Sequence, residues 1–335
     1  MQERIPQGVS AVSLRSEEVL GGRIISTIIT PLAVSYDSPH LPTPRTQLLS
    51  NGTYSLMVTS AGSGSSMCGG LNETRWAVTR WRGDVTRDHW GSFCYVRDVQ
   101  SGTLWSTGYQ PTARQPQSYE VTFTEERAVF KRQDAGILTQ MDIVVSPEDN
   151  GEVRCVTLTN RSPRVREIEL TSYAEIVLAT SAADVAHPAF SNLFIETEFI
   201  AEDHALVARR RPRSSQDQTV FAMHTVIVEG ETVGAVQYET SRQRFLGRGH
   251  DVSAPLAVSE DRPLSNTVGT VLDPIFSLRQ RVRLQPNATA RITFSTAVAY
   301  SREHILMLAD KYHDASIFER MERMAWTKAD RKSVV

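Results

Sequence analysis

The sequence predicts an all-β protein built from antiparallel sheets and followed by two short helices. Between about Thr46 and Tyr300 apolar and polar residues alternate with a period of two, which is typical of strands with one buried and one solvated face. Many short strands at regular spacing favour a sandwich of antiparallel sheets. Turn-forming stretches separate these runs, namely "SNG", "QSG", "SPEDNG", "TNRSP" and "QPNAT".

The individual strands follow from apolar side chains at every second position. In "REIELTSYAEIVL", Ile168 and Leu170 share one face, while Glu167, Glu169 and Glu175 share the other. Because successive side chains of a strand point to opposite faces, this strand is predicted to have one solvated side. In chain order the predicted strands include "YSLMV", "YEVTF", "AVFKR", "GILTQMDIVV", "VRCVTLTN", "REIELTSYAEIVL", "QTVFAMHTVIV", "SLRQRVRL" and "ATARITFSTAVAY".

The glycine-rich stretch "AGSGSS" is predicted to be a flexible loop. It lacks the lysine of a phosphate-binding loop. No strand–helix–strand pattern surrounds it, as a dinucleotide-binding segment would require. The stretch therefore predicts no nucleotide site.

Two helices are predicted after the β region. "SREHILMLADKYHD" begins with Ser301 as its N-cap, and "SIFERMERMAWTKAD" begins with Ser316, which has the capping-box spacing to Glu319. The sequence thus divides into an N-terminal extension (1–45), a β region (46–300) and a helical linker (301–335). The second helix carries an apolar stripe that is expected to be exposed and to promote dimers or aggregates, formed by Ile317, Phe318, Met321 and Met324.

The overall composition excludes several classes of function. The formal net charge of −2 predicts no nucleic-acid partner, and the short run "RRRPR" (Arg209–Arg213) is interpreted as a solvated turn. The three cysteines are widely spaced, fit reduced thiols and show no metal-ligand spacing, so no metal and no cofactor is predicted. No export signal or membrane-spanning stretch is recognised, so a cytoplasmic location is expected.

A segment from Val78 to Pro111 combines tryptophans with planar charged side chains. Aromatic faces stack on the C–H faces of sugar rings, and guanidinium or carboxylate groups bind pairs of sugar hydroxyls. Alternatively the tryptophans fill the core and the charges pair with one another, since large aromatic residues are mostly buried. The segment is thus predicted to hold something rather than to catalyse a reaction. The sugar-binding candidates are Trp81, Arg82, Asp84, Asp88, Trp90, Trp105 and Tyr109.

Several long motifs follow one another in a recognisable order: "QLLSNGTYSLMVTSAGSG", "AVTRWRGDVTRDHWGSFCYVRDVQSGTLWSTGYQP", "AEIVLATSAADVAHPAFSNLF" and "GTVLDPIFSLRQRVRL". Together they resemble the N-terminal super-sandwich domain of glycoside hydrolase family 94, which contains cellobiose phosphorylase and its relatives. The sequence also resembles the corresponding region of the family's cyclic β-1,2-glucan synthases, including "SREHILMLADKYHD" and "AWTKA". The resemblance spans roughly Arg4 to Ala329.

The resemblance implies a galactose mutarotase-like super-sandwich from an enzyme that handles β-linked glucan by glycosyl transfer or phosphorolysis. In the family this domain precedes a helical (α/α)6 barrel, which holds the general-acid aspartate and the phosphate-binding groups. The two predicted helices match the linker into that barrel, and "DRKSVV" departs from the family pattern. The chain alone is therefore expected to be inactive. Its implied partners are a weakly bound β-glucan oligosaccharide, the barrel and a second copy of the chain, in a parent enzyme associated with the inner membrane.

Two alternative functions remain open, and the sequence departs from the family pattern at one position. The domain is either a purely structural platform for docking and dimerisation, or a stand-alone mutarotase-like epimerase. The second alternative would use His89, His187 and Glu175 for acid–base chemistry at a sugar ring. The departure is Ser65, which stands where the family has an aromatic residue after "AGSG" and opens a longer loop. A role of that loop in closing over sugar is therefore not carried over.

Overall fold

The structure, a computed structural model, describes residues 33–43, 45–70, 73–83, 88–213 and 218–333. Within these residues the chain forms two antiparallel sheets whose inner faces share one core, and two helices follow the last strand. The predicted antiparallel β super-sandwich with two following helices is confirmed.

Most of the described elements are strands, and the helices are short except for the last two. The strands are β1 (Val34–Tyr36), β2 (Thr46–Ser50), β3 (Tyr54–Thr59), β4 (Gly64–Cys68), β5 (Trp76–Thr79), β6 (Ser92–Asp98), β7 (Leu104–Ser106), β8 (Ser118–Phe123), β9 (Arg127–Asp134), β10 (Ile137–Val145), β11 (Gly151–Asn160), β12 (Arg166–Ala179), β13 (Ile195–Ile200), β14 (Ala205–Arg210), β15 (Val220–Glu229), β16 (Glu231–Ser241), β17 (Gly269–Thr270), β18 (Pro274–Leu284) and β19 (Thr289–Ala299). The helices are α1 (Ser181–Ala186), α2 (Pro188–Asn192), α3 (Arg242–Leu246), α4 (Leu256–Ser259), α5 (Arg302–Tyr312) and α6 (Ile317–Ser333).

The strand order shows two large sheets with long crossovers between them. In the described residues the first sheet has ten strands in the order β1-β8-β9-β10-β11-β19-β15-β14-β13-β17. The second has nine strands, with β16-β18-β12-β5-β4-β3-β2 as its main path and β6-β7 attached at β12. Among the described strands, nine of the eighteen consecutive pairs are antiparallel neighbours in a sheet, which explains why turn-forming stretches recur along the chain.

The long strand β12 organises the second sheet because its neighbour changes along its length. On one edge it pairs with β18. On the other it pairs with β6 from Ile168 to Ala174 and then with β5 from Ile176 onward. The chain between β5 and β6, residues 80–91, therefore leaves the sheet where one neighbour replaces the other.

The main core lies between the two sheets. Leu56 and Phe276 of the second sheet meet Phe130 and Phe294 of the first in one buried cluster. Burial of such a side chain contributes about 1.5–3 kcal/mol. The apolar residues at alternate positions, which identify the strands in the sequence, are thus the residues that fill this core.

The second face of β12 is covered by other parts of the chain, so the prediction that one side of this strand is solvated is wrong. Residues after β16 fold back over it and form a second buried cluster on the outside of the sheet. Two of the three glutamates of β12, Glu169 and Glu175, are buried, and Glu169 is 4% exposed and pairs with Arg97 and Arg281. The cluster comprises Phe93, Tyr95, Tyr173, Phe245, Leu246, Val252, Val258, Leu264 and Ile275.

Helices α5 and α6 cover the outer face of the first sheet, so the expectation of an exposed apolar stripe is wrong. Ile317, Phe318 and Met321 are all buried, and only Met324 of the stripe is half-exposed. The physical reason is that the sheet presents outward-facing apolar side chains that need cover. Those side chains include Val144, Val153, Cys155, Val207 and Phe221.

The two predicted helix caps have different outcomes. Ser301 caps α5 as predicted, because its hydroxyl accepts a hydrogen bond from the His304 N–H at 3.2 Å. The capping box of α6 is not formed. The Ser316 hydroxyl donates instead to Asp314 at 3.0 Å, and the Glu319 carboxylate pairs with Arg291.

The stretch predicted to be a flexible loop is largely strand. β4 begins at Gly64 and pairs with β3 and β5, and Ser66 is buried with its hydroxyl on Glu152. Gly64 approaches the backbone of Met57 so closely that a Cβ would lie 2.0 Å from its carbonyl oxygen. The glycines of this stretch therefore permit a tight strand contact rather than flexibility.

A candidate carbohydrate-binding groove

Arg80 anchors the start of the segment that carries the candidates Trp81 and Arg82. Its guanidinium contacts Glu175 at 2.8 Å, Asp184 at 3.1 Å and the Asn192 side-chain oxygen at 2.8 Å. Burial alone would lower the pKa of Arg80, but the charges of Glu175 and Asp184 outweigh it and raise the pKa. Arg80 is thus a permanently charged buried anchor that ties β5 to β12 and to helices α1 and α2.

The next residue, Trp81, lies at the surface. Its side chain is 42% exposed, although tryptophans are highly buried on average. The backbone of Gly83 packs close to one part of the indole ring, since a Cβ there would lie 3.5 Å from it. Trp81 therefore presents a supported aromatic surface to solvent.

Trp81 lines a groove with a volume of about 480 Å³ on the outer face of the second sheet. Its floor is formed by outward-facing residues of β2 to β5, and α1 forms one side. The groove is mostly apolar, and charged side chains also line it. It is lined by Leu48, Ser55, Met57, Ser65, Met67, Arg75, Ala77, Thr79, Arg80, Trp81, Arg82, Gly83, Ser181, Asp184 and Val185.

Arg82 is held beside Trp81 by three oxygen acceptors, one of which is the Asp184 carbonyl oxygen at 3.2 Å. It forms an ion pair with the Asp184 carboxylate at 2.5 Å and donates to the Trp81 carbonyl oxygen at 3.1 Å. Its side chain is still 29% exposed. A guanidinium that is fixed yet accessible can donate further hydrogen bonds to a ligand in the groove.

Asp88 joins the same segment to the turn before β4. Its carboxylate accepts hydrogen bonds from Thr59 at 2.7 Å and from Ser63. Burial raises the pKa of Asp88, and the Thr59 hydrogen bond and the charge of His89 oppose that shift. The carboxylate oxygens thus fix the turn, and Asp88 does not line the Trp81 groove.

The remaining candidates lie apart from the groove. Trp90 is half-buried with its ring centroid 5.2 Å from that of His89, and Tyr109 is half-buried against His40. Trp105 is 0% exposed and its Nε1–H donates to Thr139 at 3.3 Å in the core. A ring buried on both faces has no surface for a sugar, so Trp105 is removed from the site. Asp84 lies outside the described residues.

Comparison with known proteins agrees with these strands and motifs. Residues 31–315 match the sequence profile described as "Glycosyl hydrolase 94, supersandwich domain". The chain belongs to this family. It is 32% identical to the cyclic β-(1,2)-glucan synthase NdvB of Rhizobium meliloti (strain 1021) over 329 residues, 98% of this chain and 11% of that protein. It is 26% identical to the N,N'-diacetylchitobiose phosphorylase of Vibrio furnissii over 280 residues, 83% of this chain and 33% of that protein.

The supersandwich domain thus spans between about a tenth and a third of the length of these two relatives. Among solved structures, a bacterial glucoamylase complexed with acarbose superposes with a TM-score of 0.48 and 9% identity, over 89% of this chain and 40% of that chain.

In this supersandwich domain the residues of the mutarotase-like alternative are not brought together. Glu175 accepts from Tyr173 and pairs with Arg80 at 2.8 Å and Arg242 at 2.7 Å. His187 is exposed between α1 and α2, and in the described residues neither it nor His89 contacts Glu175 by a hydrogen bond or ion pair. The Glu175 oxygens are fully engaged in structure, which argues against an acid–base role.

Sequence reasoning missed most of the groove's floor. The period-two alternation of "YSLMV" places Ser55 and Met57 on one face, and this signal could have identified them as outward-facing. The contributions of β2, β4 and α1 depend on strand pairing, which the alternation does not encode.

In the described residues no group of three or more His, Cys, Asp or Glu side chains could hold a metal ion, and no helix is long and apolar enough to cross a membrane.

Proposed function

We propose that this chain is the carbohydrate-binding β-sandwich module of a β-glucan-processing enzyme of the cyclic β-1,2-glucan synthase and family 94 phosphorylase type. The observation that carries the proposal is the half-exposed Trp81 ring beside the fixed Arg82 guanidinium in one groove. The parent enzyme would transfer glucosyl groups or cleave β-glucan with phosphate. The names of the two relatives, a glucan synthase and a disaccharide phosphorylase, support that class.

The chemistry of the groove suits a glucan chain. The face of an indole ring packs on the C–H face of a pyranose, while a guanidinium donates two hydrogen bonds to neighbouring hydroxyls. Met57 and Met67 extend the apolar floor with adaptable side chains. One aromatic platform contributes only about 0.5–1.5 kcal/mol beyond area burial. We therefore expect millimolar affinity, which corresponds to roughly −4 kcal/mol of binding free energy.

A cytoplasmic location is part of the proposal. All three cysteines, Cys68, Cys94 and Cys155, are buried and unpaired, which fits a reducing compartment. Association of the parent enzyme with the inner membrane would then be a property of its other regions.

The decisive experiment is an NMR titration of the protein with β-1,2-glucooligosaccharides. The wild type should show saturable shifts in the millimolar range, and Trp81→Ala should remove them while the protein stays folded. Trp326→Ala is the matched control, because Trp326 is 52% exposed on α6 and does not line the groove. This control variant should bind as the wild type does.

The second candidate function is docking of a protein surface, such as the catalytic barrel or a second copy of the chain. It is favoured by the exposed apolar side chains at the groove, since Leu48 and Val185 are each 65% exposed. If tens of millimolar oligosaccharide, a range set by the weak affinity expected, produces no shift, the sugar hypothesis falls. Docking then predicts concentration-dependent association in sedimentation, which Leu48→Asp should abolish.

A further inference from the structure

A second groove, with a volume of about 520 Å³, is lined by arginines that the proposed function does not use. It lies at helix α3 and the loop that follows, and Arg242, Arg244 and Arg248 all line it. We propose that this arginine groove binds a doubly charged phosphate group, and the inference does not depend on glucan binding at Trp81.

The charges of the arginine groove are only partly balanced. Arg242 pairs at 2.7 Å with Glu175, a carboxylate that it shares with Arg80. Arg244 and Arg248 are exposed and, among the described residues, form no ion pair or side-chain hydrogen bond. One carboxylate, that of Asp273, lines the groove, and it accepts a hydrogen bond from Asn192 at 2.7 Å. Two unpaired guanidiniums thus face a space with a single acidic group.

The local backbone keeps these guanidiniums together. α3 ends at Gly247, whose φ of 80° and close approach to Leu256, 2.8 Å from a Cβ placed there, exclude other residues. Gly249 also has a positive φ, 82°, so Arg248 lies between two glycines with positive φ. The two glycines fold the loop sharply and leave Arg244 and Arg248 in the same groove.

The ligand follows from charge and geometry. A guanidinium binds oxyanions through two parallel hydrogen bonds, and phosphate is a preferred partner. A phosphate monoester carries about −1.5 to −2 charges near neutral pH, which matches two unpaired guanidiniums better than a single carboxylate does. Leu272 is 71% exposed at the same groove and offers apolar surface to an organic part of the ligand. Family resemblance assigns the substrate phosphate to a barrel, so this would be a separate site on the β domain.

The test is isothermal titration calorimetry of the whole chain at fixed ionic strength with inorganic phosphate and, separately, with glucose 6-phosphate. Whichever of the two binds more tightly identifies the source of the phosphate group. The double variant Arg244→Gln/Arg248→Gln should weaken binding by about tenfold or more, since charge-assisted hydrogen bonds are lost. Both side chains are exposed, so the melting temperature should not change. Arg164→Gln, which removes an exposed arginine outside the groove, is the control and should bind as the wild type does.

Two results would overturn the proposal. The first is the absence of saturable binding of either probe up to about 20 mM, or equal binding by the double variant, because a built site gains at least millimolar affinity. The second concerns glucuronate, which presents a single negative charge on a similar ring. Equal affinity for glucuronate and glucose 6-phosphate would contradict recognition of a doubly charged group.

Discussion

Glu175 is the residue on which the charge arrangement of the second sheet depends. It is 4% exposed and joins Arg80, which lines the Trp81 groove, to Arg242, which lines the arginine groove. We predict that Glu175→Gln destabilises the protein by about 3–5 kcal/mol, because it leaves the buried Arg80 charge with only Asp184 as a charged partner. Urea unfolding measures this loss. A change below about 1 kcal/mol would show that the network contributes no more than an exposed ion pair.

His224 predicts a specific pH dependence. It is stacked between Phe276 and Phe294, with both ring centroids 5.7 Å away, and is hydrogen-bonded to Ser172 and Thr296. Burial, with a smaller contribution from Arg154, lowers the pKa of His224 from 6.5 to about 3. Between these values the unfolded chain binds a proton that the folded chain does not, so stability falls as the pH falls from about 6.5 toward 3.

The measurement for His224 is a comparison of unfolding free energies at several pH values between about 7 and 4. The wild type should lose about 1.4 kcal/mol per pH unit relative to His224→Gln, which cannot take up the proton. Other groups titrate equally in both proteins and cancel in the difference. Parallel stability curves for the two proteins would contradict a neutral buried histidine.

At the residue scale, the structure separates residues that the sequence grouped into one candidate site. Trp81 and Arg82, which are adjacent in the sequence, line the same groove. Trp105 belongs to the same sequence segment but lies on β7, where its ring faces the core. Composition alone cannot separate the two tryptophans, because the difference is that Trp81 lies in the connection after β5, whereas Trp105 lies on a strand with its ring toward the core.

At the element scale, helix α6 is part of the folded unit rather than an exposed connector. Met321 is 0% exposed in its contact with the first sheet, whereas Met307 of α5 is 57% exposed. We predict that Met321→Ala costs about 2–5 kcal/mol, through lost burial and a cavity. Met307→Ala, the matched control, should stay within about 0.5 kcal/mol of the wild type. Equal, small effects on urea unfolding would show that α6 is only loosely attached.

Most strands could be predicted because period-two alternation reflects a single buried face. The prediction fails for β12, where apolar residues from beyond β16 cover the other face and Arg97 and Arg281 neutralise Glu169. It also fails for α6, whose apolar stripe was recognised but whose partner, the outer face of the first sheet, was not. In both cases the covering residues are far away in the sequence, so a local sequence pattern cannot predict them.

At the scale of the whole molecule, the two sheets carry different surfaces. The outer face of the first sheet is closed by α5 and α6, and the outer face of the second bears the Trp81 groove. Among the described residues that line this groove, Asp184 is the one acidic side chain, and it is structurally engaged because it pairs with both Arg80 and Arg82. A glycosyl-transfer site needs a carboxyl group free to donate a proton and a second group to receive the sugar or phosphate. The groove has the features of a binding surface, but its described residues include no free carboxyl group together with such a second group.

We therefore predict that the protein of residues 1–335 binds sugar without turning it over. Incubated with β-1,2-glucan and inorganic phosphate, it should release no glucose 1-phosphate above the rate of a protein-free control. The family match covers residues 31–315 and is to the supersandwich domain, whereas the resemblance assigns the general acid and the phosphate-binding groups to a helical barrel. A family 94 phosphorylase assayed in parallel with its own disaccharide controls for the detection chemistry. Phosphate-dependent release that persists after repurification and is lost in Asp184→Asn would show that the β domain itself catalyses the reaction.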